Sequence, residues 1–458
     1  MNRLITLLLI AHAASVAAGQ TWEKLIAPGV TYRMELDSGA PRMIHAVRVL
    51  PDMHPVSTLP ELAQGRVFAT DPTKGRETVS RMAARTGAVV TINADFFPFS
   101  GDPVGLMIRD SELISLPFKN RSVAVWGKQG ISFGSVETKA TITAEGGDEL
   151  VLNGLNQECG INEITLFTEV SGQAMCKHPN RLYAVLKPRE NARLTANGQL
   201  DAVVDFLLEG TESVPIQPGN ILLAANGTKT PWLASLRPGQ RLTVRARSVG
   251  MDLGKVEHAI AGGPTLVRDG KPVTDWSFQG FGDSFANRRH PRTAIGRGPN
   301  GEIWLVAVDG RQKLSDGATL GELATIMLNL GCTDAINLDG GGSTTLNLLG
   351  LTVNRPSEQT ERAVANGIVV MSTLPAVEDS PFVIAAPEQV VSGDVMTLEV
   401  RRPDGVVLQN SEVLWAALGK GWIDQGGRLR SSDPGTIVVQ AFVRGQVVTK
   451  QIEVVAKR

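Results

Sequence analysis

The sequence predicts an α+β fold: a main domain rich in mixed β-sheet with a few helices, followed by a small all-β sandwich. Glycine is abundant, at 48 of 458 residues, which suits many turns and short strands. Two stretches of the main domain have the pattern of a helix followed by an apolar strand, and the rest alternates short strands with Pro/Gly turns. After Met371 only short alternating strands remain. A chain of this length predicts about two or three domains.

The first 19 residues have the pattern of a signal peptide. Arg3 supplies a positive charge, Leu4–Ile10 begins an apolar core, and Val16-Ala17-Ala18 offers small residues for cleavage. The apolar segment is shorter than the ~20 residues that a membrane span needs. We therefore expect residues 1–19 to be removed, no membrane span, and a mature bacterial protein that is secreted or periplasmic.

The composition changes near residue 375, which predicts a domain boundary. We place the main domain at residues 20–374 and the sandwich at residues 375–458, with prolines 375, 381 and 387 marking the linker. Short alternating strands around Trp415 and Gly435–Ala441 resemble bacterial immunoglobulin-like modules. This module contains no cluster of reactive side chains, so we expect it to dock to a cell surface or to a partner protein.

The most informative stretch is the segment from Ala335 to Thr345. A short apolar run predicts a buried strand that ends at Asp339 and continues into Gly340, Gly341 and Gly342, then Ser343 and Thr344. Consecutive glycines allow backbone amides to approach a ligand closely and to form an anion-binding nest. The alternative is a plain tight turn between strands.

A second strand is predicted at Ile303–Val308, and it ends at Asp309. Thr319 and Glu322 form a capping box that starts a helix, which Gly331 closes before the strand that leads to Asp339. Strand, helix and strand predict a parallel pair, so Asp309 and Asp339 should lie at one edge of the sheet. Their strand ends would be roughly 5 Å apart if adjacent, and roughly 10 Å apart with one strand between them.

A hairpin is predicted between Arg292–Gly296 and Ile303–Val308, because Gly298-Pro299-Asn300-Gly301 is a strong turn signal. The hairpin would bring Arg292 beside Asp309, with Arg289 and His290 close by. An edge that holds two carboxylates, several arginines, a histidine and a glycine turn is suited to an anionic substrate.

A further strand, Ala88–Ile92, leads directly into Asn93 and Asp95. Asp95 either adds a carboxylate to the site or caps a turn. Phe96 is either a core residue or a wall of a sugar site, and core packing is favoured because buried aromatic residues are common.

Six pieces of the chain, in order, resemble the phosphodiester glycosidase family, which includes the N-acetylglucosamine-1-phosphodiester alpha-N-acetylglucosaminidase known as the uncovering enzyme. They lie between about Leu62 and Met371. The pieces are Asn93–Phe97, Gly101–Gly105, Ala261–Pro264, Arg289–Gly296, Val308–Arg311 and Asn337–Ser343.

The resemblance implies an enzyme that hydrolyses a sugar-1-phosphodiester, such as an N-acetylglucosamine-1-phosphate diester in a phosphorylated glycan or polysaccharide, at the anomeric carbon. The catalytic candidates are Asp339, Asp309, Arg292 and Asn93. The substrate-binding candidates are Asp95, Arg289, His290, Arg311, Gly263, Gly340, Gly341, Gly342, Ser343 and Thr344. The leaving group is a phosphate monoester, so the demand on positive charge rises while the demand on a general acid falls.

Three alternatives stay open at this point. Either aspartate could serve only to orient Arg292. The protein could be a non-catalytic receptor for an anionic exopolysaccharide or cell-wall glycan. It could also be a phosphodiesterase that attacks phosphorus.

The remaining composition restricts the partners. A net charge of −1 gives no electrostatic reason to expect nucleic acid or anionic lipid, and no cofactor motif or zinc-ligand spacing is found, so we expect no metal and no cofactor. Export permits a disulfide between Cys159 and Cys176, which would contribute about 3 kcal/mol in the chain-entropy model. The alternative is three free buried thiols, with Cys332 as the third.

Overall fold

The computed structural model describes residues 19–37, 41–98, 100–189 and 193–457. Residues 1–18, which hold nearly all of the predicted signal peptide, lie outside the described residues. Within the described ranges, no helix is long and apolar enough to cross a membrane.

An eight-stranded sheet forms the base of the main domain, and its neighbouring strands all pair antiparallel. The predicted hairpin is formed, with Arg292 opposite Val308. The strands leading to Asp309 and Asp339 lie with one strand between them, the wider of the two predicted spacings. In order across the sheet, the strands are Gln20–Ala27, Val30–Asp37, Arg42–Val49, Ile303–Val308, Arg292–Arg297, Asp334–Asn337, Thr265–Arg268 and Lys271–Pro272.

Two five-stranded sheets complete the centre of this domain. The first has Val90–Asn93 in its middle, and its strand order is Leu351–Thr352, Leu346–Leu348, Val90–Asn93, Asn366–Met371 and Ser57–Leu62. The second has the order Glu112–Ser115, Met107–Arg109, His258–Ala261, Ser122–Gly127 and Gly130–Ser135.

A second eight-stranded sheet holds most of the middle of the chain. One face shares a hydrophobic core with the second five-stranded sheet, and the other face contributes to the larger core of the domain. Its strands, in order, are Glu149–Val151, Glu137–Ala144, Arg241–Val249, Gln199–Glu209, Leu182–Pro188, Ile221–Ala225, Ile164–Phe167 and Gly154–Leu155. A two-stranded ribbon, Gln173–Met175 with Ser213–Pro215, lies beside it.

The helices are short. Leu320–Asn329 begins with the predicted capping box, in which Thr319 and Glu322 bond each other's backbone amides, and it packs its apolar face on the first sheet. The other α-helices of the described chain are Val79–Thr86, Thr230–Ala234 and Asp283–Asn287. Single 3₁₀ turns are Ala63–Gly65, Glu169–Ser171, Gly227–Lys229, Ser277–Gln279, Gly341–Ser343 and Asn410–Glu412.

The C-terminal region is built from β-strands around the fully buried Trp415. One sheet contains Gln389–Val391, Gln446–Val455, Gly435–Val443 and Val413–Gly419, and a second contains Val395–Thr397, Arg428–Ser431 and Gly421–Ile423. Val383–Ala385 pairs with Glu399–Arg401. The β-rich main domain and the all-β C-terminal region are as predicted, whereas the immunoglobulin-like assignment stays a prediction.

Candidate active site

The candidate site lies where two sheets meet end to end. Strand Asp334–Asn337 of the first sheet continues into Leu338 and Asp339, and strand Val90–Asn93 of a five-stranded sheet continues into Ala94. The Asp339 amide donates to the Ala94 carbonyl at 2.8 Å, so the two strand ends are joined directly.

Asn93 fixes this junction from within. Its side chain is buried, its amide nitrogen donates to the Asp339 carbonyl at 2.6 Å, and its amide oxygen accepts from the Thr293 hydroxyl and the Thr345 backbone at 3.0 and 3.1 Å. All these bonds are internal to the protein. Asn93 therefore positions the turn that carries Asp339.

Asp339 is the carboxylate of this junction that solvent reaches. It is partly exposed, whereas Asp95 and Asp309 are 1% and 0% exposed. Burial raises the pKa of Asp339 to about 6, against the opposing effects of the Ser343 hydroxyl, the Gly340 amide and the Arg362 and Arg121 guanidinium groups. A carboxylate with such a pKa is mostly ionised at neutral pH and more basic than an ordinary aspartate.

Arg121 is a second cation that acts on this carboxylate, after Arg362, and no sequence motif points to it. Its guanidinium carbon lies 4.6 Å from the ring centroid of Phe96, 5.1 Å from Phe281 and 5.5 Å from Phe118. Its Nη1 is buried and has no hydrogen-bond partner among the described residues. Burial lowers the pKa of Arg121 while Asp95 and Asp339 act to raise it.

Asp95 lies behind Arg121 and is closed to solvent. Its two oxygens accept the backbone amides of Phe96 and Gly105, each at 2.8 Å, so it does cap the turn that follows Asn93. Burial raises its pKa to about 6, the two amides and Arg121 oppose this, and the charge of Asp339 adds to it. Asp95 thus serves as a counter-charge to Arg121 and as a turn cap.

Three aromatic rings, those of Phe96, Phe281 and Phe285, pack together beside the site, and Phe96 is less buried than expected. Phe96 is only partly buried, and its ring packs against Phe281 and Phe285 at centroid distances of 5.8 and 6.3 Å. The expectation of core packing for Phe96 is therefore not met, because its ring lies against the guanidinium group of Arg121 at the edge of the site. An apolar ring at this place can pack on a sugar ring.

Two further arginines approach the glycine turn. Arg311 is exposed, and a Cβ at Gly341 would come within 3.1 Å of its Nη2, which itself lies 3.3 Å from His290 Nδ1. Burial and the neighbouring arginines lower the pKa of His290. A Cβ at Gly342 would meet the ends of the paired side chains of Arg362 and Glu358, so this ion pair lies directly over the glycine turn.

Asp309 does not join Asp339, which corrects the expectation that both carboxylates face the substrate. It accepts hydrogen bonds from Asn354 Nδ2 at 3.1 Å and from the Arg355 amide at 3.0 and 3.1 Å, and it lies 3.5 Å from His45 Nε2. The Asp309 carboxylate is entirely enclosed by these partners.

Arg292 is also displaced from its expected role. Its guanidinium donates to the carbonyls of Ala318 at 2.9 Å, Phe285 at 2.7 Å and Arg288 at 3.1 Å, and it is 1% exposed. The physical reason is strand alternation: Arg292 shares a sheet face with its partner Val308, and Asp309 follows on the opposite face. Arg292 therefore anchors the loop after helix Asp283–Asn287 and does not present its guanidinium to a substrate.

Arg289 is likewise held away from the site. It pairs with Glu322 at 2.6 Å, on the helix side of the sheet. Arg289 thus forms a surface ion pair with Glu322, the capping residue of helix Leu320–Asn329, and its contact with substrate stays a prediction.

The glycine turn offers fewer open amides than expected. The Gly340 amide donates to Asp339 Oδ1 and the Gly341 amide to the Pro291 carbonyl, each at 2.9 Å. Thr344 is buried, with its hydroxyl 3.3 Å from that of Thr293. Gly263 exchanges hydrogen bonds with Asn337 at 2.6 and 2.9 Å. These glycines and Thr344 therefore stabilise the glycine turn and the strand end that precedes it.

The cysteines are free, so the alternative of buried thiols is the one observed. Asn226 Nδ2 contacts Cys176 Sγ at 3.3 Å and Cys159 Sγ at 3.6 Å. The predicted disulfide is thus absent from the structure, although the two side chains share one polar partner. In the described part of the chain, no cluster of three or more His, Cys, Asp or Glu side chains could hold a metal ion.

Comparison with known proteins supports the family resemblance. Residues 190–371 match the family model for phosphodiester glycosidases. The match contains Arg311 and the Asp339 turn, and it begins after Asn93, Asp95 and Arg121. The family resemblance inferred from the motifs is therefore confirmed over this segment.

Individual relatives are similar over shorter stretches. The SPbeta prophage-derived uncharacterized protein YomE of Bacillus subtilis (strain 168) is 35% identical over 117 residues, which are 25% of this chain and 17% of YomE. The N-acetylglucosamine-1-phosphodiester alpha-N-acetylglucosaminidase of Bos taurus is 40% identical over 74 residues, which are 16% of this chain and 14% of that enzyme. The chain thus spans less than a fifth of the length of either relative.

A solved structure shares the fold over a larger part of the chain. The crystal structure of a hypothetical protein from Synechocystis superposes with a TM-score of 0.62 at 28% identity, covering 75% of this chain and 62% of that one.

Proposed function

We propose that the protein is an exported hydrolase that cleaves a sugar-1-phosphodiester at the anomeric carbon, with an N-acetylglucosamine-1-phosphate diester or a related phosphorylated glycan as substrate. The observation that carries the proposal is that Asp339, which is not fully buried, interacts electrostatically with Arg121, whose buried Nη1 has no hydrogen-bond partner among the described residues. A carboxylate and a guanidinium are the two groups that hydrolysis with a phosphate leaving group demands.

Arg121 is the proposed phosphate ligand. A buried guanidinium nitrogen without a partner is costly, and a phosphate oxygen would supply the missing acceptor. As the glycosidic bond breaks, the electron pair moves to the phosphate oxygen, and the charge that develops there is stabilised by the guanidinium. The rings of Phe96 and Phe281 lie against the guanidinium group, and an apolar surrounding of this kind strengthens an electrostatic interaction.

Asp339 is the proposed nucleophile or general base. In one route its carboxylate takes a proton from water as the water oxygen bonds to the anomeric carbon. In the other it attacks that carbon itself, and water later releases the sugar. The configuration of the first sugar released, followed by NMR, separates inversion from retention.

The outer rim completes the proposed binding site. Arg311 and Arg362 approach the glycine turn from the solvent side and can contact the part of the substrate beyond the phosphate. His290 lies beside Arg311 and shares this role. The aromatic rings of Phe96 and Phe281 would pack on the sugar.

The test is hydrolysis of a chromogenic sugar-1-phosphodiester in water labelled with heavy oxygen. The proposal expects the label in the sugar, because the carbon–oxygen bond breaks. Label in the phosphate would instead establish attack on phosphorus. Saturable binding of phosphoglycans without turnover of any of them would establish a receptor.

Export and domain separation belong to the same proposal. Residues 1–19 are expected to be absent from protein isolated outside the cytoplasm, and an intact Met1 in its mass spectrum would contradict this. We assign the main domain to residues 20–374 and the C-terminal module to residues 375–458, with a role for the module in docking to a cell surface or a partner.

A further inference from the structure

The C-terminal module packs onto the main domain through an interface that contains both apolar side chains and buried hydrogen bonds. Leu414 and Trp422 belong to the hydrophobic core of the main domain. The ammonium group of Lys24, from the first strand, is buried and donates to the backbone carbonyls of Asn410 and Val413. The module is therefore joined to the sheets and is not simply tethered by a linker.

One contact in this interface leads directly towards the candidate site. Arg355 Nη2 donates to the Gly419 carbonyl of the module at 2.9 Å. The backbone amide of the same residue donates to both oxygens of Asp309. Arg355 thus connects a strand of the module to the enclosed carboxylate.

The connection continues from Asp309 to the segment after Asp339. Asn354 Nδ2 donates to Asp309 Oδ1 and to the Thr344 carbonyl, each at 3.1 Å, and Asn354 Oδ1 accepts the Leu346 amide at 2.7 Å. The Thr345 amide in turn donates to Asn93, which holds the Asp339 carbonyl. The steps from Asp309 to Asp339 are hydrogen bonds between buried or half-buried groups, whereas the bond between Arg355 and Gly419 lies at the surface.

A second set of contacts reaches Asp309 from the same interface. The Tyr32 hydroxyl lies 2.7 Å from His45 Nδ1, and His45 Nε2 lies 3.5 Å from Asp309 Oδ2. Gln425 of the module lies near the Tyr32 hydroxyl, and its side chain bonds the Trp415 backbone. Asp309 is therefore the point at which both routes from the module meet.

We infer that Asp309, Asn354 and Arg355 are positioning residues, through which the docked C-terminal module holds the turn that carries Asp339. The inference rests on the proposed function for its effect on catalysis, but the mechanical link itself can be measured without any activity. It assigns to the module a part in building the active site, in addition to any docking to a surface.

The test uses the full-length chain with Arg355→Met, which removes the bond to Gly419 and keeps the volume of the side chain. Lys313→Met is the matched control, because Lys313 also crosses the interface, to Asp433 at 3.4 Å, but is 85% exposed at the side chain. Hydrogen exchange of peptides covering residues 338–348 is measured on both variants, together with steady-state kinetics.

We expect faster exchange in this segment for Arg355→Met and unchanged exchange for Lys313→Met. Misplacement of a reacting group by a fraction of an ångström to 1 Å costs up to about a hundredfold in rate, so kcat should fall by about tenfold or more while KM changes little. Arg355→Lys, which retains one donor, should recover part of both properties.

Exchange and kcat of Arg355→Met at the level of Lys313→Met would overturn the inference. Asp309→Asn gives a second test if Arg355→Met fails to fold, because it replaces one of the two oxygens that accept from Asn354 and Arg355 by a donor. Unchanged exchange in that variant also counts against the inference. Asp339→Asn is assayed in parallel. If Asp339→Asn retains activity, the proposed function fails, whereas accelerated exchange in Arg355→Met still supports the link.

Discussion

Asp309 and Asp339 occupy equivalent places in sequence, yet their surroundings differ completely. Each follows a buried strand of the same sheet, and the two strands have one neighbour in common. Asp309 is enclosed by Asn354, the Arg355 amide and His45. Asp339 is partly exposed and faces Arg121. A carboxylate at the end of a strand therefore stabilises the fold when hydrogen-bond donors enclose it, and is available for chemistry when it is left partly open.

The sharpest test of this contrast is to neutralise Asp339. Asp339→Asn keeps the shape of the side chain and removes the base or nucleophile. We expect kcat to fall by at least about a hundredfold, with the thermal midpoint nearly unchanged. Steady-state kinetics and a thermal melt check this. Activity within a few-fold of the wild type would remove Asp339 from the chemistry.

The two buried arginines allow the same contrast for cations. Arg121→Met should lower kcat by about a hundredfold and weaken binding of the phosphomonoester product, because the guanidinium binds the leaving phosphate. Arg121→Lys should not restore activity, since one ammonium cannot reproduce the planar fork. Calorimetry with the product and kinetics measure both effects.

Arg292→Met is the comparison for Arg121→Met. It leaves the carbonyls of Ala318, Phe285 and Arg288 without their donor, so we expect a lower thermal midpoint and no selective loss of product binding. If Arg292→Met weakened product binding at unchanged stability, the assignment of the phosphate ligand to Arg121 would be wrong.

Removal of Asp309 should act on folding first. Asp309→Ala leaves one of the two Asn354 Nδ2 protons and the Arg355 amide without an acceptor, and each unsatisfied buried donor costs about 1–3 kcal/mol. Denaturant unfolding monitored by fluorescence measures this loss. A variant as stable as the wild type would show that the enclosure of Asp309 contributes little.

The smallest expected effect is on pH dependence. The pKa of Asp339 is raised to about 6 by burial, so the ionised form is lost as the pH falls through that value, and kcat/KM should fall with it. Arg121 opposes the rise, so the activity that Arg121→Met retains should show its acidic limb at higher pH. A limb near the ordinary aspartate value in the wild type would contradict the assignment of the base.

The sequence predicts the framework of this site well. The hairpin, the capping box of Thr319 and Glu322, and the strand that leads to Asp339 follow from apolar periodicity and turn residues, which are local signals. The common edge of the strands follows from topology. These parts are specified within a few tens of residues.

The identity of the facing side chains is not specified in that way. Arg121 directly precedes strand Ser122–Gly127 of another sheet, and nothing near it in sequence indicates that it acts on Asp339. Arg292 and Asp309 were assigned to one cluster because their chain positions are opposed, but alternation along the strands places them on opposite faces. To predict which side chains meet at the edge of a sheet, one must therefore also know which face of the sheet each side chain points to.

The junction of Asn93 with Asp339 has a consequence for how the protein matures. The two residues are separated by 246 positions, and Arg121 comes from a third region of the chain. Contacts of such long range form late, because the intervening chain must first be ordered. Catalytic competence should therefore appear late in folding, so a partly folded chain would carry no activity.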